Sequence, residues 1–238
     1  EYNCDFLEDF NIGKNDLIFL QATRVMDRKG IELAIDIIGE LNRHKDRLIG
    51  KRLYNGKMFN ESGSIILLCA GIVENFGISS KYVDNLKKRA VENNVDIRFI
   101  GERVSHSGAI KDNKKIYSLW DAYVYADFVT YPSIWEGFGN QFIEAVFAKL
   151  PIVAFEYPVY VSDLKGKGFD IVSLGDTYKK NNNLVYIDRS ILKCACSRVM
   201  ELLTDKELTV KAVESNYNIA KENFSFKALE GILKELGL

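Results

Sequence analysis

Two glutamates, Glu136 and Glu144, stand on either side of a glycine-punctuated turn, Gly137-Phe138-Gly139-Asn140. The turn follows an apolar run, Phe128-Val129-Thr130-Tyr131, closed by Pro132-Ser133, and leads into a segment rich in Phe, Ile, Ala and Val. Strand, glycine loop and helix start, in that order, leave backbone N–H groups free and aim the positive end of a helix dipole at an anion. Asn140 is the expected N-cap. Glu144 then falls about one turn inside the helix, with its side chain leaning back toward the mouth. A carboxylate beside a phosphate cradle is costly unless hydroxyls donate to it. That points to a sugar or ribose lying alongside phosphates. A second candidate set, Arg24, Arg28 and Lys29, follows the first apolar run, Leu17–Leu20, and precedes a helix with Ile31, Ala34, Ile35, Ile38 and Leu41 at helical spacing. Cations there suit the same phosphates. The plainer alternative is an ordinary turn with a solvated Glu144 and surface cations.

The seven residues between Glu136 and Glu144, GFGNQFI, framed by YPS and an apolar helix, resemble the EX7E motif of the retaining group 1 (family 4) glycosyltransferases of GT-B fold. The resemblance implies that Glu136 contacts hydroxyls of a donor sugar and is the residue closest to catalysis. It also implies that Glu144 holds the ribose, and that the backbone of Gly137, Phe138, Gly139 and Asn140 meets sugar and diphosphate. The loop after the first strand is similar to the family's GR…KG segment, which places Arg24 and Lys29 on the diphosphate, although Ala22-Thr23 replaces the usual glycine. The family's nucleobase position falls in ERVSHSG, with Val104 as the apolar contact. Family members carry a GG…E loop where this chain has EYPVYVSDLKGKG, so sugar contacts from that loop are not expected here.

Positioning these residues takes strands alternating with helices. Apolar runs at 17–20, 64–71, 96–101, 128–131, 151–155 and 171–174 read as six strands. Helices are expected at 31–41, at 79–94 (Tyr82, Leu86 and Val91 inward) and at 116–126 (Ile116, Leu119, Trp120 and Tyr123 inward). Two more follow at 189–203 and 206–222, then a terminal one capped by Ser225 with Leu229, Ile232, Leu233 and Leu236 as one stripe. Such alternation predicts an α/β class, a Rossmann-like doubly wound parallel sheet that binds ligand at the carboxyl ends of its strands. Arg24, Lys29, Val104 and Glu136 all fall at that edge.

With 238 residues and a net charge of −1, the chain can bury a large core and carries no global field for nucleic acid or an anionic membrane. No membrane-spanning run or signal peptide is visible. Cys4, Cys69, Cys194 and Cys196 lack metal-ligand spacing and read as buried free thiols of a cytoplasmic protein. No Asp-x-Asp pair or His cluster offers a metal site, so fixed cations and a helix N-terminus would stabilise a leaving diphosphate.

By the resemblance, residues 1–238 form one donor-binding domain, the C-terminal half of a GT-B architecture. The lack of an initiator methionine suggests a fragment, and the fragment is expected to transfer nothing alone. The donor is expected to be a UDP-, GDP- or ADP-sugar, with no separate cofactor. An acceptor sugar or lipid-linked glycan, and any membrane association, would belong to a missing N-terminal domain. A non-catalytic sugar-nucleotide-binding or partner-docking module is the main alternative. A phosphorylase-like or epimerase-like relative is a third.

Overall fold

Two apolar stretches, Leu17–Gln21 and Ile65–Cys69, are buried along their whole length, as strands covered on both faces must be. They belong to a computed structural model that describes residues 2–73 and 78–235. In chain order the elements are α1 (Phe6–Asp9), β1 (Leu17–Gln21), α2 (Ile31–Asn42), β2 (Ile65–Cys69), α3 (Ile78–Glu92), β3 (Asp96–Phe99), β4 (Val104–Ser105), β5 (Ala109–Lys111), β6 (Lys114–Ser118), α4 (Leu119–Tyr125) and β7 (Phe128–Tyr131). There follow α5 (Asn140–Phe147), β8 (Ile152–Ala154), β9 (Val172–Ser173), β10 (Lys179–Asn181), β11 (Leu184–Tyr186), α6 (Arg189–Thr204), α7 (Lys206–Phe224) and α8 (Phe226–Glu235).

Six strands form one sheet in the order β3-β2-β1-β7-β8-β9, and every pairing is parallel. The chain starts at β1, steps outward to β2 and β3, then returns to lay β7 on the other side of β1. The strand order therefore reverses between β1 and β7, and the loops leaving those two strands diverge to open a crevice there. Backbone pairing at this seam is short, Phe19 with Phe128 and Leu20 with Val129. Side chains extend it. The Asp127 carboxylate accepts from the Ile18 N–H at 2.7 Å, and the Thr130 hydroxyl donates to Gln21 Oε1 at 2.6 Å.

The six expected strands are all present, and the structure corrects several finer expectations. Ile116 belongs to β6, not to a helix. The helix starts at Leu119 because Ser118 and Asp121 close a reciprocal capping box, and Trp120 is then exposed. On α3, Tyr82 and Leu86 are buried as expected, but Ala90 completes their stripe and Val91 faces solvent, one residue off the four-residue spacing. Two hairpins, β5–β6 and β10–β11, were not expected. Their turns, Asp112-Asn113 and Asn182-Asn183, place four residues at positive φ, which Asn and Asp tolerate. Ser225 does cap α8, its hydroxyl accepting from the Ala228 N–H at 3.2 Å. Leu229 and Leu233 are nonetheless exposed; the Ile232 side chain and Leu236 lie outside the described residues. Cys69 and Cys196 are buried, whereas Cys4 and Cys194 are exposed.

Candidate functional site

The loop after β1 and the loop after β7 meet at the reversal of strand order. The Ile134 N–H donates to the Arg28 carbonyl at 2.9 Å, tying one loop to the other. Gly30 makes that approach possible. It has φ +58°, and a Cβ there would lie 2.4 Å from the Pro132 carbonyl oxygen. Beneath the junction lies a buried polar layer in which Gln21 donates to Thr23 at 2.7 Å and accepts from Thr130.

The two loops enclose a cavity of about 300 Å³ lined by Arg24, Arg28, Lys29, Glu136, Gly137, Phe138, Gly139, Asn140 and Gln141. Seven of the residues to which the resemblance gives a role are thus brought together. Glu136 is 8% exposed and Lys29 5%. The Glu136 carboxylate pairs with Lys29 and, at 2.9 Å, with Arg28. Arg28 also donates to the Trp135 carbonyl at 3.0 Å and lies over its indole at 5.6 Å. Burial pushes the Glu136 carboxyl up, but the Lys29 and Arg28 cations beside it outweigh burial and hold it below its ordinary value. Burial also pushes the Lys29 ammonium down, and Glu136 restores only part of that loss.

Helix α5 opens onto this cavity. Asn140 is not its N-cap. Gly139 holds that position at φ +114°, Asn140 is the first helical residue, and no cap side chain bonds the free N–H groups of the first turn. The Phe142 N–H turns back to the Gly139 carbonyl at 3.0 Å, and the donors ahead of it can meet a ligand.

Glu144 lines a different cavity. It sits with Phe138, Asn140, Ile143, Asn223, Phe224, Ser225 and Leu229 around about 470 Å³. Phe138 and Asn140 belong to both cavities. Burial raises the Glu144 carboxyl above its ordinary value, offset in part by the Tyr123 hydroxyl at 3.4 Å. Val104 joins neither cavity. It is a buried core residue of β4, paired with Tyr117, at the carboxyl end of β3.

The resemblance gives no role to Arg28, Trp135, Gln141 or Tyr157. Arg28 adjoins Lys29, but nothing in residue type separates a cation that turns inward from one that does not. Among the described residues, no group of three His, Cys, Asp or Glu side chains is placed to hold a metal ion.

A cation cluster, a helix N-terminus and an ionised carboxylate in one cleft can hold a diphosphate beside a hydroxyl-rich group. Residues 5–164 match the family model described as "Glycosyl transferases group 1". The chain belongs to the group 1 glycosyltransferases. Two curated relatives share its sequence along almost its whole length. The "Mannosylglucosylglycerate synthase" of Thermotoga maritima is 42% identical over 229 residues, covering 95% of this chain and 50% of that protein. The protein of the same name from Petrotoga mobilis is 38% identical over 230 residues, covering 95% and 51%. This group 1 chain therefore spans about half the length of the relatives it matches. Among solved structures, the C-terminal domain of the group 1 family protein LpcC from Francisella tularensis superposes with a TM-score of 0.55 at 17% identity. That match covers 92% of this chain and 91% of that domain, and it supports the fold.

Proposed function

We propose that this chain is the donor-binding half of a hexosyltransferase. It holds a UDP-, GDP- or ADP-linked sugar, while a separate N-terminal domain of a longer protein holds the acceptor, a sugar or lipid-linked glycan. Transfer proceeds with retention and without a divalent metal. The observation that carries this reading is the cleft where Arg24, Arg28, Lys29, Glu136 and the Gly137–Gln141 backbone share one cavity. The matched names, synthases of mannosylglucosylglycerate, make a mannosyl group the first donor sugar to test.

As the glycosidic bond breaks, negative charge grows on the leaving diphosphate. Lys29, Arg24 and Arg28 and the first-turn N–H groups of α5 meet that charge with fixed cations and dipoles, which need no reorganisation. Glu136 is held ionised and so accepts hydrogen bonds from donor-sugar hydroxyls rather than supplying a proton. Glu144 accepts from the ribose diol in the adjoining cavity.

The test is calorimetric titration of the chain with UDP, GDP and ADP and their hexose conjugates. One nucleotide is expected to bind with an affinity insensitive to EDTA and weakened by salt, because exposed charges are screened. No transfer is expected until the longer protein is supplied. Strict dependence on magnesium or manganese would overturn the assignment to cations, and binding of none of the three would overturn the whole reading.

A further inference from the structure

The segment after β8 lacks the paired glycines of the family pattern and supplies a tyrosine instead. Tyr157 is fully buried, is not among the residues lining the cavity, and donates from its hydroxyl to the Phe138 carbonyl at 2.7 Å. That hydroxyl lies 2.2 Å from where a Cβ on Gly139 would be. Its ring packs edge-on against Tyr131, with centroids 5.9 Å apart. The Tyr131 hydroxyl is buried too, without a hydrogen-bond partner among the described residues, and comes 3.2 Å from the same Gly139 position. Two phenols thus form a floor under one peptide unit.

The orientation of that unit follows from its planarity. No cis peptide is present among the described residues, so the Phe138 carbonyl and the Gly139 N–H point in opposite directions. With the carbonyl drawn down to Tyr157, the N–H is turned up into the cavity that Phe138 and Gly139 line. A peptide beside a glycine at φ +114° has little steric barrier to rotating the other way, which would present the carbonyl oxygen to an incoming phosphate. An oxygen facing an anion repels it. One hydrogen bond from below decides which group the ligand meets.

We propose that Tyr157 is a positioning residue for the donor diphosphate: its hydroxyl locks the Phe138–Gly139 peptide with the N–H facing the phosphates. The proposal rests on the donor-site reading above. Tyr157 touches no ligand itself. It acts through the backbone, which lets a tyrosine of a neighbouring segment support a cradle made of main-chain atoms.

The test compares the chain with its Tyr157→Phe and Tyr160→Phe variants. Tyr160 is a buried phenol of the same segment, packed on Phe142 and Tyr157. Each protein is titrated with UDP, GDP, ADP and inorganic pyrophosphate, and its melting temperature recorded. Tyr157→Phe is expected to weaken the binding nucleotide and pyrophosphate alike, by about tenfold, the effect of one lost hydrogen bond. Tyr160→Phe is expected to bind as the parent does. The Gly139 amide resonance, followed by 15N-labelling, should move on diphosphate addition in the parent and in Tyr160→Phe but not in Tyr157→Phe. If the parent binds and Tyr157→Phe matches it in affinity and in the Gly139 response, the positioning role is overturned and the donor-site reading stands. If both variants lose affinity in proportion to lost melting temperature, Tyr157 is only a packing residue. If the parent binds no diphosphate, both readings fall together.

Discussion

Glu136 sits where two cations converge, and that makes it a competitor of any phosphate. Lys29 and Arg28 are both engaged with its carboxylate before a ligand arrives. A diphosphate entering the cavity must share or take those partners. Replacing the carboxylate by an amide should therefore leave free nucleoside diphosphate bound as well as before, or severalfold tighter, because Lys29 and Arg28 are released. The same Glu136→Gln change should weaken the sugar conjugate relative to the free nucleotide, since a charged acceptor of hydroxyl protons is gone. Glu144 should behave differently because it lines the neighbouring cavity, whose lining includes no Lys or Arg. Glu144→Ala should weaken free and sugar-linked nucleotide alike, by roughly 1.5–3 kcal/mol if its carboxylate holds the ribose. Calorimetry on the two variants, with melting temperatures as a check, separates the assignments. Identical losses on both ligands for both variants would remove the distinction.

At the scale of elements, one buried carboxylate joins three of them. Glu32 of α2 accepts from the Tyr82 hydroxyl of α3 at 2.5 Å and from the Val185 N–H of β11 at 2.7 Å. Burial, only partly offset by Tyr82 and Val185, raises its carboxyl to about 7. A carboxyl raised in the folded state holds its proton there while the unfolded chain has already lost it. Its contribution to stability is therefore full below about 4.5, declines as pH rises from about 4.5 to about 7, and is gone above that. Glu32→Gln cannot ionise and should lack this decline. Relative to the parent, the variant should gain on the order of 3 kcal/mol between pH 4.5 and 8, since each tenfold difference in proton affinity between the folded and unfolded chain is worth about 1.4 kcal/mol. Asp36, the nearby buried acid paired with Arg89, is unchanged in both proteins and cancels in the comparison. Denaturant melts across that range measure the difference, and a constant offset would count against the assignment.

Strands β1, β2, β7 and β8 are legible because burial on both faces demands uninterrupted apolar runs. Hairpins β5–β6 and β10–β11 escaped because Ala109–Lys111 and Lys179–Asn181 are exposed and carry no alternation. Their only signal was the Asp-Asn and Asn-Asn turns. The start of α4 was also written in the chain, as Ser118 three residues before Asp121, but the apolar pattern around Ile116 masked it. Asn140 looked like a cap by residue type. The conformation went to Gly139 because only glycine fits above the Tyr157 hydroxyl. Loop glycines, acids and cations mark the site in the chain, whereas the Arg28–Glu136 pairing and the Tyr157 bond to Phe138 depend on the sheet bringing distant segments together.

At the scale of the whole molecule, the sheet is two three-stranded halves, β3-β2-β1 and β7-β8-β9, joined along the β1–β7 seam. Arg24, Arg28 and Lys29 leave the first half; Glu136 and the Gly137–Gln141 backbone leave the second. A diphosphate in the cleft would hold cations from one half and peptide N–H groups from the other, and so act as a clasp across the seam. The binding free energy would then be spent at the join as well as on the loops, adding about 2.7 kcal/mol to global stability at a hundredfold excess over Kd. Slow amide exchange gives a map of where the clasp bites. With saturating nucleotide, the largest gains in protection should appear at Leu17–Gln21 and Phe128–Tyr131, and smaller ones at the outer strands β3 and β9. Protection confined to the two loops would mean that the ligand rests on the edge of the sheet without fastening its halves. Protection centred on the seam would make the nucleotide a structural member of the domain, one whose departure loosens the molecule along the line where its two halves meet.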